Sequence, residues 1–422
     1  MPEDTEPVDF PPDTPGPQAH GPRAALYERI TQELEARAGL LWDVALRLHG
    51  TPEPAYEEHQ AAALLTGELQ RGGFAVRRGV ADLPTAFVAE SAGSGSARPR
   101  VALVLEYDAL PELGHACGHN LIAGAGLGAA LALHSALRAG PEGTEGGSLT
   151  VIGSPAEEGG GGKVAQVAAG VFDGVDAALM FHPGTHSWSW APLTAQVQVE
   201  VTFHGRAAHP TGNPAEGVDA LAALIQLFTA LDVLQRRLPP GSHVQGIVTE
   251  GGRATNIVPD LAQGRFGLRA ATTVALEGLV SELGRCADGI ATATGTRAEV
   301  ARVGTGYQHF RDNEVLSERF ARHLARAGIT AGPPEPGVYL GSSDMGDVST
   351  VVPAIHPFVA ITGPEGADHT PEFARAAASE QGRRAMLASA RALACTAADV
   401  LLEPGLCERS WARWREKAAA GL

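Results

Sequence analysis

The chain has 422 residues, 44% of them hydrophobic, and a formal net charge of -16. That length exceeds one compact core and predicts about two or three domains. The acidic balance argues against nucleic-acid binding and against an anionic membrane surface, both of which favour basic footprints; it serves solubility and is compatible with a cationic substrate.

Residues 1–22 are rich in Pro, Asp and Glu and lack the basic and apolar regions of a signal peptide, so they are expected to form a disordered leader. Apolar residues at helical spacing (Leu26, Ile30, Leu34, Leu41, Val44, Leu48) predict a long helix over Ala24–Leu48, broken by Thr51-Pro52-Glu53-Pro54. A second helix is expected over Glu57–Leu69, ended by Gly72-Gly73. Val101–Leu105, Leu149–Ile152 and Ala177–Phe181 read as buried strands, alternating with helices over Leu121–Leu137 and Lys163–Val171. Such units predict an α/β fold with a largely parallel sheet flanked by helices.

The pattern then changes. Strands near Val197–Phe203, Gly246–Thr249, Gly264–Ala270 and Ala298–Val303 interleave with helices over Ala215–Leu234 and Leu276–Thr292. This β-α-β-β-α-β order is the ferredoxin-like arrangement and marks 194–302 as an inserted domain. The α/β pattern resumes with a strand over Ile355–Ile361 and a helix over Phe373–Leu402, so 23–193 and 303–422 together form the other domain. The tract Ser91–Ser96 reads as a loop. No stretch is read as approaching the ~20 apolar residues of a membrane span, and no membrane partner is expected. Four irregularly spaced cysteines (Cys117, Cys286, Cys395, Cys407) argue against a disulfide framework; a cytoplasmic location would keep Cys117 reduced.

Chemistry concentrates in four stretches: His115-Ala116-Cys117-Gly118-His119, Glu157-Glu158 before four glycines, His182-Pro183-Gly184, and Asp368-His369-Thr370-Pro371. Thiolate, imidazole and carboxylate are the donors a borderline-soft divalent ion prefers. A carboxylate beside a ligating one supplies the base that deprotonates an activated water. Asp108, Cys117, the Glu pair and His182 all follow predicted strands, where open α/β sheets place their sites. Each stretch alone has a plain structural alternative: a buried thiol, a solvated carboxylate pair, a satisfied core histidine, an exposed loop histidine. Their combination points to a metal-dependent hydrolase, with Glu158 as ligand and Glu157 as base. Gly159–Lys163 is no phosphate loop, because Glu157 and Val164 stand where that motif needs Gly and Ser or Thr. His186, His204, His309 and His356 read as structural.

These residues resemble the dinuclear metallo-amidohydrolase family of aminoacylase, carboxypeptidase G and hippurate hydrolase. The likeness runs from about residue 24 to 402. His115-Ala116-Cys117-Gly118-His119 is similar to the hallmark of its amidohydrolase subgroup. Glu106-Tyr107-Asp108-Ala109-Leu110-Pro111, Asn120 and Gly341-Ser342-Ser343-Asp344 resemble its branch of dipeptidases acting on β-alanyl-lysine-type peptides. The resemblance implies two divalent ions per subunit, held by Cys117, His119, Glu158, His182 and His369, with Glu157 as general base; the thiolate favours zinc, with manganese, cobalt or nickel as substitutes. It further implies that Asp108, His115 and Asp344 orient the ligands, that His209 enters a partner subunit's site, and that Asn256 and Arg269 contact substrate. A homodimer formed through the inserted domain, acting as its lid, and hydrolysis of a dipeptide or acyl-amino acid amide bond are therefore expected. The alternatives are an N-acyl or aryl-amide amidohydrolase and a non-catalytic metal-binding regulator. Asn120 and Glu106 depart from most of the subgroup and weaken a direct transfer of hippurate or auxin-conjugate specificity.

Overall fold

A computed structural model describes residues 22–91, 98–139 and 147–422; the expected leader, up to residue 21, and most of the Ser91–Ser96 tract lie outside them. The strands in chain order are β1 (Phe74–Arg78), β2 (Phe87–Ser91), β3 (Arg100–Glu106), β4 (Ser148–Ser154), β5 (Ala177–Leu179), β6 (His182–Gly184), β7 (Ala195–His204), β8 (His243–Glu250), β9 (Leu261–Ala270), β10 (Arg297–Tyr307), β11 (Ala354–Ile355) and β12 (Phe358–Ala360).

One sheet runs β1-β2-β4-β3-β5-β11. From β4 through β3 and β5 to β11 it is parallel, whereas β1 and β2 join antiparallel at one edge. β3 is buried along six of its seven residues and β4 along all seven, the pattern of strands covered on both faces. The covering helices include Pro22–Gly50, His119–Arg138 and Glu380–Leu402. The last two are long and apolar enough to cross a membrane by length and composition, which corrects the expectation that no stretch approaches a span; most of each is buried in this core.

β7–β10 form a separate antiparallel sheet, order β10-β7-β9-β8, with helices Ala220–Gln235 and Thr273–Thr294 packed on it. β7 alternates buried and part-exposed residues, so one face meets the helices through its own hydrophobic cluster around Phe203, Leu224, Phe266 and Leu283. The expected ferredoxin-like order is present. β10 shifts register between Val303 and Tyr307 as the chain returns to the larger sheet.

Three elements differ from expectation. The single strand over Ile355–Ile361 is two short strands, β11 and β12, separated at His356-Pro357 and paired in different sheets. The single helix over Phe373–Leu402 is two, Pro371–Ala376 and Glu380–Leu402, the second capped by the Ser379 hydroxyl, which accepts from the Gly382 N–H. The helix expected from Ala215 begins at Ala220, capped by Asp219, after a short 3-10 turn over Pro214–Glu216. Strands β1 and β2 and the helices Glu314–Arg326 and Leu406–Ala419 were not anticipated.

Gly153, near the end of β4, shows how tightly the site's platform is packed. A Cβ there would lie 2.1 Å from the fully buried Phe87 ring. Gly153→Ala is expected to cost about 1–3 kcal/mol of stability through overpacking, read as a lowered midpoint of thermal unfolding; an unchanged midpoint would contradict this packing.

Candidate metal centre

The site is built at the carboxyl ends of β3, β4 and β5. β3 leads into Asp108 and the loop carrying Cys117, β4 into Glu157 and Glu158, and β5 into His182; His369 arrives just before helix Pro371–Ala376. Gly118 has φ 79°, and a Cβ on it would sit 2.5 Å from the Pro183 ring. Only glycine lets the Cys117–His119 loop turn this close to the His182 strand. Ala156 holds a left-handed φ of 58°, a conformation costing about 1–2 kcal/mol in a residue with a Cβ. Fully buried Glu58 secures it: its carboxylate accepts from the Ala156 N–H at 2.9 Å, the Tyr56 N–H at 2.8 Å and the Thr85 hydroxyl at 2.7 Å.

The five expected ligands come together. Candidate donor atoms of Cys117, His119 and His182 lie within 4.8 Å of one another, and so do those of Cys117, Glu158 and His369. Cys117 belongs to both groups. A third group joins His119, Glu157 and Glu158. The buried His119 Nδ1 faces Asp108 Oδ1 and the Asp108 carbonyl, each at 3.0 Å. His182 Nδ1 meets the Pro183 carbonyl at 2.6 Å. Carboxylate and carbonyl accept, so both rings carry hydrogen on Nδ1 and present the Nε2 lone pair. His182 Nε2 is 3.5 Å from Cys117 Sγ, and His369 Nε2 is 3.4 Å from Glu158 Oε1.

The fit to a metal rests on the orphaned His119 Nε2: it is buried, has no hydrogen-bond partner among the described residues, and aims its lone pair into a set of thiol, imidazole and carboxylate donors. That is the donor chemistry of a borderline-soft divalent ion. Two donor groups sharing a thiol support two ions.

The two adjacent glutamates are driven apart electrostatically. Burial, then the neighbouring Glu106 and Asp344 charges, push the Glu157 carboxyl well above its ordinary range. Burial acts the same way on Glu158, but a hydrogen bond from His369 and the nearby His119 outweigh it and lower the pKa. One carboxyl thus takes a proton readily while its neighbour stays ionised, the split expected of a proton carrier beside a ligand. Burial above all raises the Cys117 thiol well above its usual value.

The other expected residues divide. Asp108 holds both the His119 ring and, through Oδ2, the Glu158 N–H at 2.9 Å. His115 does not touch the ligands with its ring: Nε2 meets the Leu48 carbonyl at 3.1 Å, and its part in the loop is its own carbonyl, which accepts from the Gly118 N–H. Asp344 reaches not a ligand but Lys163, 2.6 Å away. His209 and Asn256 lie exposed on the inserted unit. Arg269, on β9, donates to the Ser342 hydroxyl at 2.8 Å, joining that unit to the Gly341–Asp344 segment. Four residues escaped the sequence reading. Neither Lys163 nor Glu106 carries a functional role in the sequence reading: Lys163 opens a helix and fails as a phosphate-loop lysine, and Glu106 belongs to a motif of the dipeptidase branch. Tyr307 donates to the Glu157 carbonyl at 2.7 Å, and His356, expected to be purely structural, packs its ring 5.5 Å from that of His182. An acidic residue at the end of a buried strand was the available signal for Glu106; none marked Tyr307.

The chain is similar to several known proteins. Residues 195–291 match the family model described as a peptidase dimerisation domain. The chain is 36% identical over 415 residues to the Xaa-Arg dipeptidase of Mus musculus, covering 94% of both chains. It is 31% identical over 322 residues to a chain of the p-aminobenzoyl-glutamate hydrolase of Escherichia coli, covering 72% of this chain and 66% of that one. Its fold is similar, at a TM-score of 0.70 and 22% identity, to a dinuclear metal binding peptidase of the M20 family from Bacillus subtilis, covering 87% and 99% of the two chains. Fold, converged donor set and full-length similarity together place this chain in the M20 family of metal-dependent peptidases and amidohydrolases.

Proposed function

We propose that the protein hydrolyses the amide bond of a dipeptide, with Glu157 as general base and Cys117, His119, Glu158, His182 and His369 holding two divalent ions. The observation that carries this reading is the meeting of those five side chains, from four distant stretches, around one thiol shared by two donor groups. When bound, the ions supply Lewis acidity to the carbonyl and acidify the attacking water. The chain's own residues do the rest. Glu157 accepts the proton of the water and passes it to the leaving amine. Glu58 and Tyr307 fix the backbone on which Glu157 stands.

His209 fits the task of stabilising the oxyanion. Its Nδ1 accepts from the Thr211 N–H at 3.2 Å and the Gly212 N–H at 3.0 Å, which leaves the hydrogen on Nε2 and makes that atom a donor. No hydrogen bond or ion pair joins it to the five ligands of its own chain among the described residues, which favours action across a homodimer interface. Support for that dimer comes from apolar exposure on the inserted unit: Ile247 and Val248 on the edge strand β8, and Ile225 and Val233 on the neighbouring helix, are each at least half exposed. In this reading 194–302 moves as a lid over 23–193 and 303–422, with Arg269 placed at the junction to receive a substrate carboxylate.

Zinc is the favoured ion because of the thiolate, with manganese, cobalt and nickel as substitutes. A reducing cytoplasm suits an unpaired Cys117. Dipeptides with a basic C-terminal residue are the first substrates to test, given the Xaa-Arg dipeptidase relative and the acidic chain. A second reading, hydrolysis of an N-acyl or aryl amide, is favoured by the p-aminobenzoyl-glutamate hydrolase relative; parallel assays on dipeptides and N-acyl amino acids separate the two.

Glu157→Gln is expected to lower kcat by about 10²–10⁴-fold with metal content unchanged; near wild-type turnover would remove Glu157 from the role of base. Chelation should abolish hydrolysis, and added metal should restore it. Because the buried thiol must lose its proton to bind, metal affinity should rise with pH by about tenfold per unit for each proton released; titrations at pH 6, 7 and 8 giving equal affinity would contradict Cys117 as ligand. His209→Ala and Glu157→Gln proteins, each nearly inactive, should regain activity when mixed under conditions that exchange subunits. No recovery after demonstrated exchange would place His209 in its own subunit's site or outside the reaction.

A further inference from the structure

A second group of carboxylates stands behind the ligand set. Glu106 at the end of β3, Glu157 after β4, and Asp344 before helix Met345–Ser349 are all buried, with one oxygen from each within 4.8 Å of the others. Three carboxylates so placed make a cradle for a hard cation. The chain fills it itself. Lys163 is fully buried, with Nζ 2.5 Å from Glu106 Oε1 and 2.6 Å from Asp344 Oδ1, and its backbone N–H donates to Asp344 Oδ2 at 2.9 Å. Among the described residues its ion-pair partners are Glu106 and Asp344, so Glu157 is the member of the trio left unpaired.

We propose that Lys163 is a built-in cation: it occupies what would otherwise be a third cation site beside the metal pair, pairs directly with Glu106 and Asp344, and leaves Glu157 as the member of the trio without an ion pair. It acts as a positioning residue and rests on the reading of Glu157 as base. Three features make the placement specific. Lys163, in the helix Gly162–Ala168, directly follows the turn that carries Glu157, and a Cβ on Gly162 would strike the Pro155 carbonyl at 1.9 Å; the ammonium and the base are therefore set by one short piece of backbone. Glu106 Oε2 lies 3.7 Å from His119 Nε2, so an unneutralised Glu106 would compete for the ion meant for that histidine. Asp344 follows Ser342, which accepts from Arg269 and meets the Thr194 hydroxyl at 2.9 Å, so the pair also ties the turn to the junction with the inserted unit. A solvent-facing phosphate role is closed to a lysine with no exposed surface.

The test compares wild type, Lys163→Met, the charge-matched double variant Glu106→Gln/Lys163→Met, and Glu157→Gln. Three quantities are read: divalent ions per chain after chelation and reloading with zinc, the unfolding midpoint of the metal-free protein, and kcat with KM. Lys163→Met should bind about one more ion per chain than wild type and unfold at lower temperature when metal-free. Its kcat should fall by at least ~30-fold with KM changed less than ~3-fold, since removing one partner leaves buried charge uncompensated near the base. The double variant should return to the wild-type ion count and regain stability and turnover. If Lys163→Met cannot be obtained folded, a folded double variant with the wild-type ion count is the expected result, and a double variant as unstable as the single overturns the proposal. Lys163→Met matching wild type in ion count and kcat, while Glu157→Gln is inactive, overturns this inference alone; an active Glu157→Gln overturns the reading beneath it.

Discussion

Negative charge buried at the carboxyl end of one sheet is the constraint around which this protein is organised. Glu106, Asp108, Glu157 and Asp344 are all removed from solvent there, with Glu158 beside them. Carboxylates in such a place must be protonated, hydrogen-bonded or paired with cations. The chain uses each solution at a different residue. Asp108 is held by His119 and a backbone N–H, and Glu58 by two N–H groups and a hydroxyl, while Glu106 and Asp344 form ion pairs with Lys163, neither Glu106 oxygen being hydrogen-bonded among the described residues. His119 Nε2, facing the candidate metal centre, has no hydrogen-bond partner among the described residues.

The same arrangement holds the candidate donor side chains in place. His119 and His182 are held through Nδ1, the glutamate turn is pinned by Glu58, and Gly118 brings the cysteine loop against Pro183. Ligands oriented by their neighbours before metal arrives bind with less ordering cost. The inserted unit adds two contacts to this frame. Tyr307, at the end of its last strand, holds the Glu157 carbonyl, and Arg269 holds Ser342 beside Asp344.

The legible part of this site is the part written in local motifs. Cys117, His119, the glutamate pair, His182 and His369 sit in short contexts whose composition announces chemistry, and the structure brings them together. The parallel strands were readable as apolar runs, and the inserted unit as a change from such runs to alternation. Lys163 and Glu106 were not read because their meaning is the contact between them, 57 positions apart in sequence. Tyr307 follows a register shift in β10 that no local pattern of residues announces. The break at Ala377–Ser379 was hidden in an alanine-rich run that suits helix on both sides, and His356-Pro357 parts what looked like one apolar strand. Edge strand β1, with Arg77 and Arg78 exposed, lacks the burial pattern that marked the central strands.

The claim at the centre is that two ions share the thiol of Cys117. Anomalous diffraction from crystals of the zinc-loaded protein, recorded at the zinc edge, tests it directly. Two peaks on either side of that sulfur, one within bonding distance of His119 or His182 and the other of Glu158 or His369, are the predicted result. A single peak, or peaks beyond bonding distance of Cys117, would contradict the account.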